Sequence, residues 1–169
     1  MRQVPIISIV GKSDSGKTTF LEGLVRVLVG RGWRVATVKH HVHDVEIDVP
    51  GKDSWRHARA GAHVAMVSSP TRLALVRSVD RERTLDELAQ AAGDVDILLT
   101  EGFKRVARVR IEVARRARSD ELVSGPEELF ALVTDAPDLA AGDAPVFGLD
   151  DHAAVADLIE RTFLSGGDL

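Results

Sequence analysis

Short dense apolar runs alternate along the chain with stretches whose apolar residues recur at helical spacing, and this rhythm predicts strands and helices in turn. Val4 to Val10 reads as a buried strand. Phe20, Leu21, Leu24, Val25 and Leu28 then share one helical face, predicting a helix that ends near Gly30 or Gly32 with Arg31 in its last turn, where a cation suits the dipole. Trp33 to Lys39 is dense enough in apolar residues for a second strand buried on both faces of a parallel sheet. Asp53 or Ser54 is expected to cap a short helix that runs through Ala60 and stops at Gly61. Val64 to Ser68 and Leu73 to Val76 flank the turn sequence Ser69-Pro70-Thr71-Arg72, so an antiparallel hairpin is expected at one edge of the sheet. Thr84 and Glu87 form a capping box for a helix carrying Leu85, Leu88, Ala89 and Ala92, with a stop at Gly93. Further strands are expected at Val95 to Glu101, around Val109 to Val113, at Leu129 to Val133 and at Val146 to Leu149. Asp150 then caps a closing helix with Val155, Leu158, Ile159 and Phe163 facing inward. The pattern predicts an α/β sandwich: a mostly parallel, twisted sheet of about seven strands with helices on both faces.

The polar stretch between the first strand and the first helix is Gly11-Lys12-Ser13-Asp14-Ser15-Gly16-Lys17-Thr18-Thr19, a complete G-x-x-x-x-G-K-S/T (Walker A) sequence in its strand, loop, helix context. Each residue type there has a mechanical reason. Glycines let the backbone wrap closely round a phosphate, while the loop N–H groups and the positive end of the following helix converge on the same anion. Lys17 would reach the β- and γ-phosphates, and the Thr18 hydroxyl would ligate a magnesium ion bridging them. A ligand-free glycine turn is the plainer reading, but the complete motif at the first strand favours phosphate and places the chain among the three-layer P-loop NTPase sandwiches.

Composition narrows the partners. The 169 residues have the size of one domain, so a single nucleotide-binding domain over residues 1–164 is expected, followed by a loose tail from Ser165 to Leu169. A formal net charge of −4 gives no reason to expect nucleic acid. The absence of cysteine excludes disulfides, thiolate catalysis and cysteine-ligated metals, and suits a reducing compartment such as the cytoplasm. The apolar stretch after Arg2 is too short for a signal peptide, and no run reaches membrane-spanning length.

Lys39 to Gly61 is the stretch least like scaffold, with four histidines among its residues, three of them within Lys39-His40-His41-Val42-His43-Asp44. In a parallel sheet, ligands gather beyond the carboxyl ends of strands, so Lys39, His40, His41, His43 and Asp44 are expected on the working edge. His40, His41, His43 and Asp44 offer ligands for a transition metal, but their spacing fits no standard zinc pattern, and a solvated or phosphate-facing loop is the favoured reading. Asp48, beyond the second strand, could approach magnesium directly or through water, although a loop carboxylate is equally often just solvated. Val95-Asp96-Ile97-Leu98-Leu99-Thr100-Glu101 has the Walker B arrangement of an apolar strand delivering a carboxylate to the phosphate edge. Asp96 lies at the entry end of that strand and is expected to be structural. Glu101 lies at the exit end and is assigned as the magnesium ligand or water-positioning carboxylate, with Gly102 letting the chain pass close to the nucleotide.

The P-loop, the stretch K-H-H-V-H-D-V-E-I-D-V-P-G-K-D-S-W-R-H-A-R-A-G-A (Lys39 to Ala62) and T-E-G-F-K (Thr100 to Lys104) together resemble the MobB family of adaptor proteins in molybdopterin-guanine dinucleotide biosynthesis. The resemblance covers roughly the first two thirds of the chain, and the two later motifs carry more of it than the P-loop. It implies a P-loop fold, GTP binding with slow hydrolysis, frequent homodimers, and association with the nucleotidyltransferase MobA, which joins GMP to molybdopterin. It also implies Gly11 to Thr19 as the phosphate cradle and Asp48, Asp53 and Glu101 as site residues. Lys12 departs from the expected pattern. A lysine at this place in the loop is similar to the deviant P-loop of the MinD and nitrogenase iron-protein class, where it reaches phosphate across a dimer, although Ser13 and Asp14 stand where that class has small glycines.

Beyond Lys104 the chain turns basic, with Arg105, Arg108, Arg110, Arg115, Arg116 and Arg118. Val109, Ile111 and Val113 alternate with polar residues, so Arg108, Arg110 and Glu112 should share one exposed strand face, either to hold a pterin phosphate, a pyrophosphate or an acidic partner, or to protect an edge strand by charge. No aromatic residue interleaves this cluster, which argues against single-stranded nucleic acid. The strand Leu129 to Val133 ends in Thr134-Asp135-Ala136-Pro137-Asp138, where N-K-x-D stands in many GTP-binding proteins. That motif is absent; Asp135 or Asp138 could read a guanine edge instead, but acidic residues in a Pro-containing turn are common without function, so the choice of guanine is what the resemblance implies. The expected function is thus a magnesium-dependent, weakly hydrolysing GTP-binding adaptor. The rivals are a P-loop small-molecule kinase, for which Arg56 and Arg59 offer a lid but no acceptor base is evident, and a MinD-like dimeric ATPase. A module that has lost nucleotide binding conflicts with the intact Lys17 and Thr18.

Overall fold

In the computed structural model, which describes residues 3–165, the elements in chain order are β1 (Ile6–Val10), α1 (Lys17–Gly30), β2 (Val35–Lys39), α2 (Asp53–Arg59), β3 (Val64–Ser68), β4 (Leu73–Arg77), α3 (Leu85–Ala92), β5 (Ile97–Glu101), β6 (Arg110–Ala114), β7 (Leu129–Thr134), β8 (Val146–Phe147) and α4 (His152–Ile159). A 3-10 turn at Pro126–Glu128 precedes β7, and α4 continues as a π-helical turn over Glu160–Leu164. Of the expected tail, only Ser165 falls within the described residues. The chain divides into two compact units, one comprising residues up to His40 together with Leu85 onward, the other His41–Thr84.

The first unit holds a six-stranded sheet in the order β2-β5-β1-β6-β7-β8, every pairing parallel. It is the mostly parallel P-loop sandwich that the pattern predicts. β1 is central: every member from Ile7 to Val10 is buried and it pairs with β5 and β6, and because the chain leaves it for β2 on the β5 side and later passes from β5 to β6 on the other, its carboxyl end is the topological switch point. On one face, Ile7 and Ile9 of β1, Leu99 of β5 and Val133 of β7 pack against Phe20, Leu24 and Leu28 of α1 and Val155 and Ile159 of α4. Leu158 and Phe163 also pack against this cluster from a half-buried position. On the other face, Leu132 and Ala114 pack with Ala141, Leu122 and Leu139 from the connections flanking β7. That face also carries polar groups, and the Thr100 hydroxyl donates to Ser8 Oγ at 2.8 Å, satisfying both within the core.

Several local expectations change in the tertiary context. β2 is an edge strand, with Thr37 and Lys39 exposed, rather than one buried on both faces; only β5 pairs with it. β6 is the reverse case. It hydrogen-bonds to β1 on one side and β7 on the other, so Arg110 and Glu112 do not lie on an exposed face. Arg110 is 12% exposed and paired with Glu128 at 2.6 Å. Glu112 is 1% exposed. Arg108 alone of the three stays at the surface, 3.7 Å from Asp86. Helix α4 takes Asp151 at its N-cap instead of Asp150, and the Asp151 carboxylate turns back to accept the Gly148 N–H at 2.7 Å.

Glu112 holds a connection together. Its two carboxylate oxygens accept the backbone N–H groups of Val123 at 2.7 Å and Ser124 at 2.9 Å. Truncation would leave two inward donors unmatched, so Glu112→Ala is expected to lower the stability measured by urea unfolding by about 2–4 kcal/mol. An unchanged midpoint would mean that water satisfies both donors.

The second unit contains α2 and the β3–β4 hairpin, which forms its own two-stranded antiparallel sheet and is not hydrogen-bonded to the edge of the main sheet. Its turn is closed by Ser69, which donates its N–H to the Arg72 carbonyl at 2.8 Å and accepts the Arg72 N–H on its hydroxyl at 3.0 Å. Lys52, not Asp53 or Ser54, occupies the N-cap of α2, and Asp53 instead sits in the first turn, where its charge suits the helix dipole.

Candidate functional site

The loop between β1 and α1 takes the shape its glycines allow. Gly11 has φ +140°, and a Cβ there would stand 2.3 Å from the Val113 carbonyl oxygen of β6, so only glycine lets β1 and β6 remain this close. Gly16 has φ +94° and forms the left-handed N-cap of α1 with no side-chain cap. No acidic residue occupies the first turn of α1. The first N–H groups of the helix and its positive dipole end are therefore presented together at the carboxyl edge of β1. Asp14 also adopts a positive φ of 57°, turning the loop between Ser13 and Ser15.

The side chains of the site converge on this loop. Lys17 folds back so that its ammonium donates to the Lys12 carbonyl at 2.6 Å. Its pKa is lowered from the ordinary 10.5, first by burial and then by the charge of Lys104, against the opposing pull of Glu101 and Asp14. Parallel pairing of β5 beside β1 brings Glu101 to the same edge, 8% exposed. The Thr18 hydroxyl donates to Glu101 Oε2 at 2.9 Å. Lys39, at the end of β2, lies 3.2 Å from Glu101 Oε1. A hydroxyl and a carboxylate juxtaposed beside this loop are hard oxygen donors of the kind magnesium takes alongside phosphate oxygens, so Thr18 and Glu101 fit that ion. A cleft of about 430 Å³ opens beside them between α1 and β2, with Leu21, Val25, Arg26, Thr37, Lys39 and Glu101 in its wall.

Other expected residues are placed differently. Lys12 directs its ammonium within the chain, to Ser119 Oγ, with Glu121 at 3.8 Å. Asp96 accepts the Arg34 backbone N–H at 2.8 Å and two guanidinium contacts, anchoring the start of β2 to β5. Gly102 is close to His40, whose Cβ would stand 3.1 Å from an added Cβ, and the His40 ring packs on Phe103 with centroids 4.5 Å apart. Asp135 ends up just beyond β7, where one oxygen accepts the Arg116 N–H at 2.8 Å, while Asp138 pairs with the Arg116 guanidinium, which holds its carboxyl below the usual range. Asp48 and Asp53 belong to the second unit. There Asp48 accepts the Val49 N–H at 2.8 Å, and Asp53 lies 4.0 Å from Arg56. Among the described residues, no group of three or more His, Asp or Glu side chains is gathered as a metal would require, the His40, His41, His43 and Asp44 set included.

Sequence reading named Lys104 and Arg115 without placing either at the loop. Lys104 follows the Walker B strand and acts on Lys17 through space. Arg115 directly follows β6 and lies against Gly16. Both sit just past strand ends, and that position was their signal.

Known proteins share this fold. Residues 6–135 match the family described as MobB, molybdopterin guanine dinucleotide synthesis protein B. The molybdopterin-guanine dinucleotide biosynthesis adapter protein of Haemophilus influenzae is 34% identical over 161 residues, spanning 94% of this chain and 89% of that protein. Its Escherichia coli counterpart is 32% identical over 163 residues, spanning 92% and 91%. The crystal structure of Bacillus subtilis MobB superposes with a TM-score of 0.75 at 27% identity, covering 97% of this chain and 99% of that one. With its family match running from β1 to the end of β7 and these relatives aligned over nearly their whole length, the chain belongs to the MobB family.

Proposed function

We propose that this protein is a GTP-binding adaptor with slow, magnesium-dependent GTPase activity that assists attachment of GMP to molybdopterin, acting as a homodimer with a MobA-type nucleotidyltransferase in the cytoplasm. The observation that carries the nucleotide reading is the Thr18 to Glu101 hydrogen bond at 2.9 Å, which joins the Walker A and Walker B elements at the mouth of the loop. The names of the relatives support the pathway. Magnesium bound by Thr18 and Glu101 would supply charge neutralisation on the β- and γ-phosphates. Lys17 binds the same phosphates through its ammonium, and the loop N–H groups with the α1 terminus orient the chain of phosphates. Glu101 is fixed in direction by its contacts with Thr18 and Lys39.

Asp135 is the better placed of the two candidate base readers. Asp138 is committed to Arg116, while Asp135 uses only one oxygen on a backbone N–H. The free oxygen of Asp135 accepts from the guanine ring N–H and amine, donors that adenine does not present. A carboxylate buried beneath the bound base and left unpaired by the wrong one costs about 1–3 kcal/mol, so GTP should outcompete ATP by roughly tenfold to a hundredfold at one magnesium concentration. Asp135→Ala should erase most of that ratio. Equal affinity for the two nucleotides, or an ATP preference, would turn the reading toward a small-molecule kinase or a MinD-like ATPase.

A further inference from the structure

Arg115 sits at the carboxyl end of β6 with its guanidinium laid against the P-loop: Nε and Nη2 lie 3.1 and 3.2 Å from where a Cβ on Gly16 would stand. Its Nε is buried with no hydrogen-bond partner, and the side chain forms no ion pair among the described residues. Electrostatically this is an unfavourable place for a cation. The N-terminus of α1 carries roughly half a positive charge, and Lys17, Lys104 and Lys39 already crowd the same edge. Ser15 Oγ, within a residue 1% exposed, also lacks a partner in the loop. Neither group is satisfied by the protein that surrounds it, whereas an anion in the loop would satisfy both.

We infer that Arg115 is a phosphate-binding arginine supplied in cis, which grips the nucleotide's phosphate chain from the side of the loop opposite the Thr18–Glu101 pair. The sheet order dictates the two sides. β5 delivers Glu101 from one flank of β1, and β6 delivers Arg115 from the other. The second loop lysine does not take this role, because Lys12 is turned to Ser119 and Glu121. A planar guanidinium with several donors suits phosphate oxygens in a way a surface ammonium does not. The inference rests on the P-loop nucleotide reading above and adds the residue that completes its charge.

The test is isothermal titration of the full chain and its Arg115→Gln, Arg115→Lys and Lys17→Ala variants with GTP and with inorganic pyrophosphate, each with and without magnesium, alongside thermal melts. Arg115→Gln should weaken both ligands by about tenfold to a hundredfold, equally with and without magnesium, and Arg115→Lys should recover part of the loss. Without ligand, the melting temperature of Arg115→Gln should be unchanged or raised, since a like-charge contact has been removed. Parent-like affinity in Arg115→Gln, or a lowered ligand-free melt with an undiminished ligand-induced shift, overturns the inference and makes Arg115 a packing residue. If Lys17→Ala loses binding while Arg115→Gln does not, the P-loop reading stands and only this inference fails. If the parent binds neither GTP nor pyrophosphate, both fail.

Discussion

Lys17→Ala should lose about 3 kcal/mol of triphosphate binding, roughly a hundredfold in Kd, while keeping its fold. The ammonium is charge-assisted in its contact with phosphate, and its one hydrogen bond within the protein is to a loop carbonyl, so removal leaves no buried group stranded. The same residue sets a pH dependence. Burial and Lys104 lower its pKa, so between that lowered value and 10.5 the folded protein binds fewer protons than the unfolded chain. Folding stability contributed by this group therefore rises with pH across that window, and phosphate affinity, which needs the ammonium, falls across it. Thermal melts with and without GTP over an alkaline pH series measure both. In Lys17→Ala the ligand-induced shift should be small and this component of the pH dependence absent. Equal ligand-induced stabilisation in variant and parent would remove the P-loop as the phosphate site.

The second large effect is expected from Glu101→Gln. The amide keeps the shape of the side chain and still accepts from Thr18, but the negative charge that attracts magnesium and pairs with Lys39 is gone. Magnesium-dependent GTP hydrolysis should fall roughly a hundredfold, while magnesium-free GTP binding stays near the parent value. A single-turnover hydrolysis assay across magnesium concentrations separates the two quantities. If the rate does not change, the working carboxylate comes from elsewhere, and Asp48→Asn becomes the next variant to assay.

Local pattern carried much of this protein. The apolar runs and helical spacing placed most strands and helices within a few residues, because a strand buried in a parallel sheet must be apolar nearly throughout and an α-helix on its surface must repeat its apolar face. The placement of the Gly11 to Thr19 loop and of Glu101 at one sheet edge was legible for a similar reason: both stand immediately after strands of one parallel sheet. What the pattern left open was which strands lie side by side. Trp33 to Lys39 looked central and β2 is an edge; Arg110 and Glu112 looked exposed and β6 is interior. Side-chain polarity does not reveal whether a strand pairs on one side or two. Glu112 is tolerated inside only because two backbone N–H groups from the connection between β6 and β7 fold back to meet it there. The sequence alone therefore determined the elements and the glycine loop between β1 and α1, since both depend on neighbours along the chain. The tertiary structure decided sheet order, the pairing of Glu101 with Thr18 and Lys39, and the approach of Arg115 to Gly16, since these depend on residues brought together only when β5 and β6 close on either side of β1.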